Sequence, residues 1–146
     1  MTVNLVSIRE APDSTALLYE LMAQRTAEQN ISHTALPSYR DHEEFVRYHP
    51  YRDWFVIVDP EHNIQVGALY LTKANEIGIF ILNRYQRQGY ARAAIQHAID
   101  TIMPLPAVPG VRGSRWLANI NPLNTPSIDL FRNLGFSQKQ ITLEKD

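Results

Sequence analysis

The sequence predicts an α/β domain of the α+β kind: a mixed, mostly antiparallel central sheet of six to seven strands flanked by about four helices. Three observations carry that prediction. Strand-like segments at 54–58, 64–71 and 77–82 follow one another across short turns, which requires an antiparallel meander and excludes a Rossmann-type parallel sheet. The run at 77–82 passes through a tight turn into helical periodicity, so 75–102 reads as strand, turn and helix. With 146 residues the chain has room for one substantial core and not for two, so 1–146 is read as a single domain.

The elements follow in order. Residues 2–8 alternate Val3, Leu5 and Ser7 against Asn4, Val6 and Ile8, a first strand. Pro12, Asp13 and Ser14 offer helix-start chemistry, and Leu17, Leu18, Leu21 and Met22 form an apolar stripe that continues to about Thr26. Residues 28–37 read as a loop. Ser38, with Asp41 three residues on, is an N-cap for a second helix through Phe45 and Val46 to Tyr48, which Pro50 stops. After the meander, Ala91, Ile95, Ala98 and Ile102 recur at helical spacing. The prolines and glycines of 104–113 make a loop, 116–120 reads as a strand, and 127–133 as a short helix closed by Gly135. A last strand is expected at 136–143.

Composition narrows the function. The chain is 45% hydrophobic and 20% charged, and 14 basic against 15 acidic side chains leave a formal charge of −1. No Lys/Arg-rich run is present, so neither nucleic acid nor an anionic membrane is an expected partner, although a few local arginines could steer a small anion. The absence of cysteine excludes disulfides, thiolate metal sites and a cysteine nucleophile. Five histidines without a paired spacing give no reason to expect a metal. The amino terminus has no charged-then-apolar leader and no apolar run approaches the roughly 20 residues of a membrane span, so a cytoplasmic protein is expected.

The run at 77–82 is apolar throughout, as in a strand covered on both faces, and the helix begins near Gly89. The first amides of that helix lack intrahelical partners and sit at the positive end of its dipole. Arg87, Gln88, Gly89, Tyr90, Ala91 and Arg92 can therefore present N–H groups to an anion. Gly89 removes the Cβ that would stand in the way, and Arg84, Arg87 and Arg92 add positive charge. By itself this loop could equally be a strand-turn-helix whose glycine serves close packing. Neither the G-x-x-x-x-G-K-S/T loop nor the three-glycine dinucleotide fingerprint is present.

Two motifs together give a resemblance. Gln86, Gly89 and Ala91 spell Q-x-x-G-x-A, and some thirty residues later Asn124, Ser127, Phe131, Gly135 and Phe136 spell N-x-x-S-x-x-x-F-x-x-x-G-F. With the element order, these resemble the GNAT superfamily of acyl-CoA-dependent N-acetyltransferases over nearly the full length. The usual seventh strand is shortened or missing after Phe136, which leaves room for a homodimer that completes the sheet. The resemblance implies acetyl-CoA as co-substrate. The backbone of Ile79, Phe80 and Ile81 would pair with the pantetheine arm, Arg87 through Arg92 would hold the pyrophosphate, and Asn124 and Phe131 would lie near the thioester. An extended amide-bearing arm suits an unpaired strand edge, and a diphosphate suits a helix N-terminus.

The chain also departs from the family. Many relatives carry a tyrosine where Phe131 stands, as proton donor to the leaving thiolate, and some carry a glutamate base where Asn119 stands. Amide formation from a thioester needs a deprotonated amine, and alkyl ammonium groups titrate near 10, so a base is expected. Glu76 is the first candidate, directly or through water; a strand-end carboxylate in solvent or paired with a cation reads the same way. His33, in the loop between the first two helices, and Tyr70, whose alternation points it toward the cleft, complete the catalytic candidates. His49 is a lesser candidate beside a helix-end cap, His42 and His97 read as solvated helix positions, and His62 belongs to a turn. Tyr85 and Tyr90 read as packing residues, and Trp54 and Trp116 as core.

The segments SHTALPSYRDHEEFVRYHPYRDWFVIV, QVGALYL and NEIGIFI are similar to the GNAT branch that acetylates nucleotide-linked amino sugars, and EIG is shared with the branch acting on protein amino termini. A small-molecule amine is thus the leading acceptor. Protein N-termini or lysines, and an amine-bearing modified nucleotide base, are the alternatives. A sensor module that binds acyl-CoA without turnover is the alternative from another class.

Overall fold

The computed structural model describes residues 1–25 and 35–146. Its elements are β1 (Asn4–Ser7), α1 (Ser14–Ala23), α2 (Tyr39–Tyr48), β2 (Asp53–Asp59), β3 (Ile64–Leu71), β4 (Ile77–Ile81), a 3-10 turn (Asn83–Tyr85), α3 (Tyr90–Thr101) and α4 (Thr125–Asn133). The strands form one antiparallel sheet in the order β1-β2-β3-β4, the meander that the short turns require.

Alternation along the strands loads both faces of this sheet. Phe55, Ile57, Val66, Leu69, Leu71 and Ile77 pack with Tyr90, Ala94, Ile95 and Ala98 of α3. Trp54, Val56 and Ala68 pack with Leu17, Leu18 and Leu21 of α1 and Val46 of α2. A register shift opposite Ile57 and Val58 changes the phase of β3, which is why Val66 and Leu69 reach the same core although three residues apart. The helix ends follow their local chemistry. Ser38 Oγ accepts from the Asp41 amide at 3.2 Å, and Gly135, at φ 94°, lets Phe136 N–H close on the Phe131 carbonyl at 3.0 Å.

Several expectations need correction. α1 ends at Ala23 rather than Thr26, and Asp13 does not cap it by its side chain. Ser14 instead donates its hydroxyl to the Ile8 carbonyl at 2.6 Å. His42 is buried rather than solvated, because the face of α2 that carries it packs on α1, where its Nε2 meets the Thr15 carbonyl at 3.0 Å. β4 is only half-buried over most of its length, since one flank borders a cavity. Residues 116–120 form no strand: one parallel bridge joins Leu117 to Glu76, and the chain then leaves the sheet. Residues 136–143 form no strand, and Ile141 and Leu143 stand 73% and 89% exposed. The described sheet therefore has four strands rather than six to seven.

Asn75 holds the junction at which these segments meet. It is fully buried with φ 63°, in the left-handed region that asparagine tolerates better than most residues. Its Nδ2 donates to the Leu105 and Gly113 carbonyls at 2.9 and 2.8 Å, and its Oδ1 accepts from Leu105 N–H at 2.7 Å. Its own amide donates to the Thr72 carbonyl, and its carbonyl accepts from Leu117 N–H. One side chain thus fastens the proline-rich loop to the β3–β4 turn.

A second lock sits at the β2–β3 turn. Asp59 accepts from Tyr90 Oη at 2.6 Å, His62 Nδ1 at 2.9 Å and the amides of Glu61 and His62, so the first residue of α3 is tied to the sheet. The Tyr90 and His62 hydrogen bonds pull the Asp59 carboxyl down to about 2. The same bond from Asp59 raises His62.

Replacing Asn75 by alanine removes the partner of three part-buried backbone groups and strains the turn. We expect a loss of about 3 kcal/mol or more in urea unfolding, with only a small recovery in Asn75→Gly, which relieves the φ alone. Equal stability of Asn75→Gly and wild type would show that backbone conformation, not the hydrogen bonds, is what matters.

Asp59 predicts a pH profile. Its ionised form contributes stability that is complete above about pH 4 and is lost as the pH falls toward 2. The protonated His62 contributes below its ordinary value of 6.5, and that contribution is lost as the pH rises through its raised folded value. The Tm gap between wild type and Asp59→Asn is therefore greatest between about pH 4 and 6.5 and narrows on both sides. A gap that stays constant down to pH 2 would remove the carboxylate's charge from the account.

Candidate active site

The side chains of β4 alternate across the sheet, and this alternation divides the site. Ile77, Ile79 and Ile81 face the α3 core, while Glu76, Gly78 and Phe80 fall opposite Thr72, Tyr70 and Ala68 of β3. The ladder period also sorts the backbone. Glu76 and Leu82 bond to β3, so the N–H and C=O groups of Ile77, Ile79 and Ile81 point to the free edge. Ile77 uses that edge to reach Leu117, its amide donating to the Leu117 carbonyl at 2.8 Å. Gln86 Nε2 donates to the Ile81 carbonyl at 3.1 Å. Ile79 lies between these two partners, where the chain beyond Leu117 has moved away.

The divergence opens a cavity of about 210 Å3. Tyr70, Thr72, Glu76, Gly78, Ile79 and Phe80 line one wall, and Asn119, Ile120, Asn121, Asn124, Ser127 and Phe131 the other. Glu76 stands at the closed end. Its Oε1 accepts from the Thr72 hydroxyl at 2.9 Å, its Oε2 accepts from Asn119 Nδ2, and its amide donates to Thr72 Oγ1 at 3.0 Å. Glu76 is thus held by neutral donors, and no cation pairs with it among the described residues. A carboxylate held in this way keeps lone pairs for a proton.

Tyr70 lies over Gly78, where any Cβ would overlap its ring. That glycine is required by close approach rather than by a turn. The Tyr70 ring stacks on Tyr51, with centroids 4.2 Å apart and planes at 7°. Burial raises the Tyr70 hydroxyl, Arg25 lowers it in part, and Glu76 raises it again, so it stays protonated at neutral pH. Across the cavity Phe131 is buried against Phe136 in an edge-to-face pair at 5.0 Å. Asn124 caps α4, its Oδ1 accepting from Ser127 N–H at 3.3 Å.

Beyond Ile81 the chain turns through the 3-10 segment into the loop before α3. Arg87 and Gly89 both take positive φ, 62° and 91°, so consecutive amides there can point outward together. Gly89 is the N-cap of α3, with no side-chain cap and no acid in the first turn, and Ala93 N–H is the first to bond back to it. The amides of Tyr90, Ala91 and Arg92 precede that bond and stay available. Gln88, Gly89 and Arg92 also border a second depression of about 490 Å3 along α3. The Tyr90 side chain itself is buried on Asp59.

Tyr70, Glu76, Ile79, Phe80, Asn124 and Phe131 thus share one cavity, and 87–92 form a separate donor-rich loop at the far end of the same strand. His33 lies outside the described residues. His49 ends α2 and packs edge-on to Trp54, and His97 is exposed. The sequence reading missed Thr72 and Gly78; a threonine four residues before Glu76 across a hairpin turn was the available signal.

Comparison with known proteins places this geometry. A domain from Methanocaldococcus jannaschii superposes with a TM-score of 0.78 at 19% identity, over 98% of this chain and 93% of that one. An acetyltransferase from Thermus thermophilus gives 0.66 at 19% identity, over 94% and 88%. The dodecameric spermidine N-acetyltransferase from Vibrio cholerae gives 0.65 at 15% identity, over 99% and 85%. No curated protein sequence matches the chain. At these identities the structures share the fold, and the sequence itself decides the family. The model of the acetyltransferase (GNAT) domain matches residues 3–137, and the chain belongs to that family.

Proposed function

We propose that this acetyltransferase uses acetyl-CoA to acetylate the primary amine of a small molecule, with a nucleotide-linked amino sugar as the acceptor class that the sequence favours. The observation that carries this is continuity: the open edge at Ile79 leads from the Glu76 cavity to the unpaired amides at the head of α3. Such an edge suits the amide-bearing pantetheine arm, and the loop at 87–92 suits a pyrophosphate. Ile79 and Ile81 supply backbone groups at that edge, whereas Phe80 contributes its ring to the opposite face.

Acetyl-CoA supplies an acyl group activated as a thioester. The acceptor nitrogen forms the new C–N bond at the carbonyl carbon and the C–S bond breaks. Glu76 takes the proton that the ammonium gives up, directly or through one water. Phe131 has no proton to offer the departing sulfur. The Tyr70 hydroxyl lines the same cavity and has no hydrogen-bond partner among the described residues. Its pKa lies above the thiol range of about 8.5, so it stabilises the thiolate by a hydrogen bond rather than by giving up its proton outright.

Release of free CoA with a panel of primary amines tests the reading. We expect Glu76→Gln to lower kcat by about two orders of magnitude and to abolish the acid limb of the pH–rate profile. An unchanged profile removes Glu76 as the base. Tight acetyl-CoA binding with no turnover of any amine would instead identify a binding module.

The loop is tested separately. Gly89→Trp is expected to weaken acetyl-CoA at least tenfold by titration calorimetry, and Gly89→Asn, which accepts positive φ, to weaken it far less. Unaltered affinity in Gly89→Trp would refute the pyrophosphate assignment.

A further inference from the structure

The wall that carries Glu76 at one end has a cation packed behind its other end. Arg25, just past the end of α1, places its guanidinium carbon 3.8 Å from the centroid of Phe80, whose ring lines the cavity. Its Nε is buried without a hydrogen-bond partner, and among the described residues no carboxylate forms an ion pair with it. Its neighbours are rings instead: Phe80 beneath it, with Tyr70 and Tyr51 within electrostatic range.

A guanidinium does not discharge at physiological pH, so it remains a cation although burial lowers its pKa. Contact with the Phe80 face offsets part of the lost hydration, and a guanidinium stacked on a ring keeps its N–H donors in its own plane, of which Nε has no partner among the described residues. Tyr51 adds a further donor, because burial pushes its hydroxyl up to about 12 and keeps it protonated. Glu76, at the other end of the wall, offers only acceptors. Glu76, just before β4, and Phe80 within it are four positions apart, about 13 Å at the strand rise, with the Tyr70–Tyr51 stack between them.

Building on the proposed transfer reaction, we infer that the acceptor carries an anionic group, a carboxylate or a phosphate, several bonds from its amine. Arg25 and Tyr51 bind the anion while the amine lies toward Glu76. The stacked face of Tyr70 and Tyr51 supports the part of the acceptor between the two charges. A polyamine has no group for the Arg25 end and places a second cation there, so it is selected against.

Matched acceptor pairs test this, with free CoA as readout: 6-aminohexanoate against 6-aminohexanamide, and glucosamine 6-phosphate against glucosamine, with spermidine as the polycation. In at least one pair the wild type should prefer the anionic member by about tenfold or more in kcat/KM, mainly through KM, the scale of one charge-assisted hydrogen bond. The pair that shows the preference identifies carboxylate or phosphate. In Arg25→Met the preference should collapse while acetyl-CoA affinity holds, and Arg25→Lys should retain part of it. If Arg25→Met does not fold, Arg25→Lys and Tyr51→Phe carry the same comparison. A wild type that prefers the neutral members or spermidine overturns the inference and leaves the acetyltransfer reading intact. So does an Arg25 variant that slows both members of each pair alike. Acetyl-CoA binding with no turnover of any amine overturns the transfer reading and this inference with it.

Discussion

The site depends on one short stretch of backbone held from both sides. Asn75 gives every polar group it has to the protein, and Ile77 N–H reaches the Leu117 carbonyl across Glu76. Between those anchors Glu76 has little freedom of φ and ψ, and its side chain starts from a defined point. Because the bridge to Leu117 is a single one, the following residues are free to diverge, and the cavity is the space that this divergence leaves. A second full ladder step at Ile79 would have closed it. The buried asparagine thus shapes the site without touching it.

The same strand resolves a conflict that an open edge creates. An apolar strand with unpaired backbone groups is a template for unwanted pairing. Here the exposure is short, because Leu117 takes the start of the edge and the Gln86 side chain takes the Ile81 carbonyl. What remains open is centred on Ile79. Alternation then assigns the two faces of β4 to different tasks, since the odd positions anchor the strand to α3 and the even positions build the wall facing α1 and α2. Gly78 lets Tyr70 lie flat along that wall.

Much of the fold was legible because it is locally encoded. The two- and 3.6-residue periods locate β1 through β4 and the four helices of the described residues, and the Ser38 and Gly135 caps lie where the chemistry requires. What failed was non-local. An apolar segment such as 116–120 has strand composition, but strand identity needs a partner at matching register, and only Leu117 finds one. His42 looked like a solvated position because its burial comes from α1, far away in sequence. Within the site, Glu76, Tyr70, Asn124 and Phe131 could be read from alternation and motif. Asn75 and Arg25 could not: an asparagine in a turn and an arginine after a helix are unremarkable until the fold shows what surrounds them.

Phe131 limits how the chemistry can work. Its ring is buried against Phe136, and α4 beside it is capped by Asn124, so that wall is apolar at the position in question. On the sheet side Tyr70 is the phenol lining the same cavity, and in the proposed mechanism it is the hydrogen-bond donor for the sulfur. In that proposal the donor stands on β3, on the same cavity wall as Glu76. The β3–β4 hairpin carries both Glu76 and Tyr70, so their spacing is set within the sheet and not between the sheet and α4. The burial that keeps Tyr70 protonated also makes it a poor outright acid. In the proposed mechanism, the sulfur therefore leaves as a hydrogen-bonded thiolate and takes its proton from solvent.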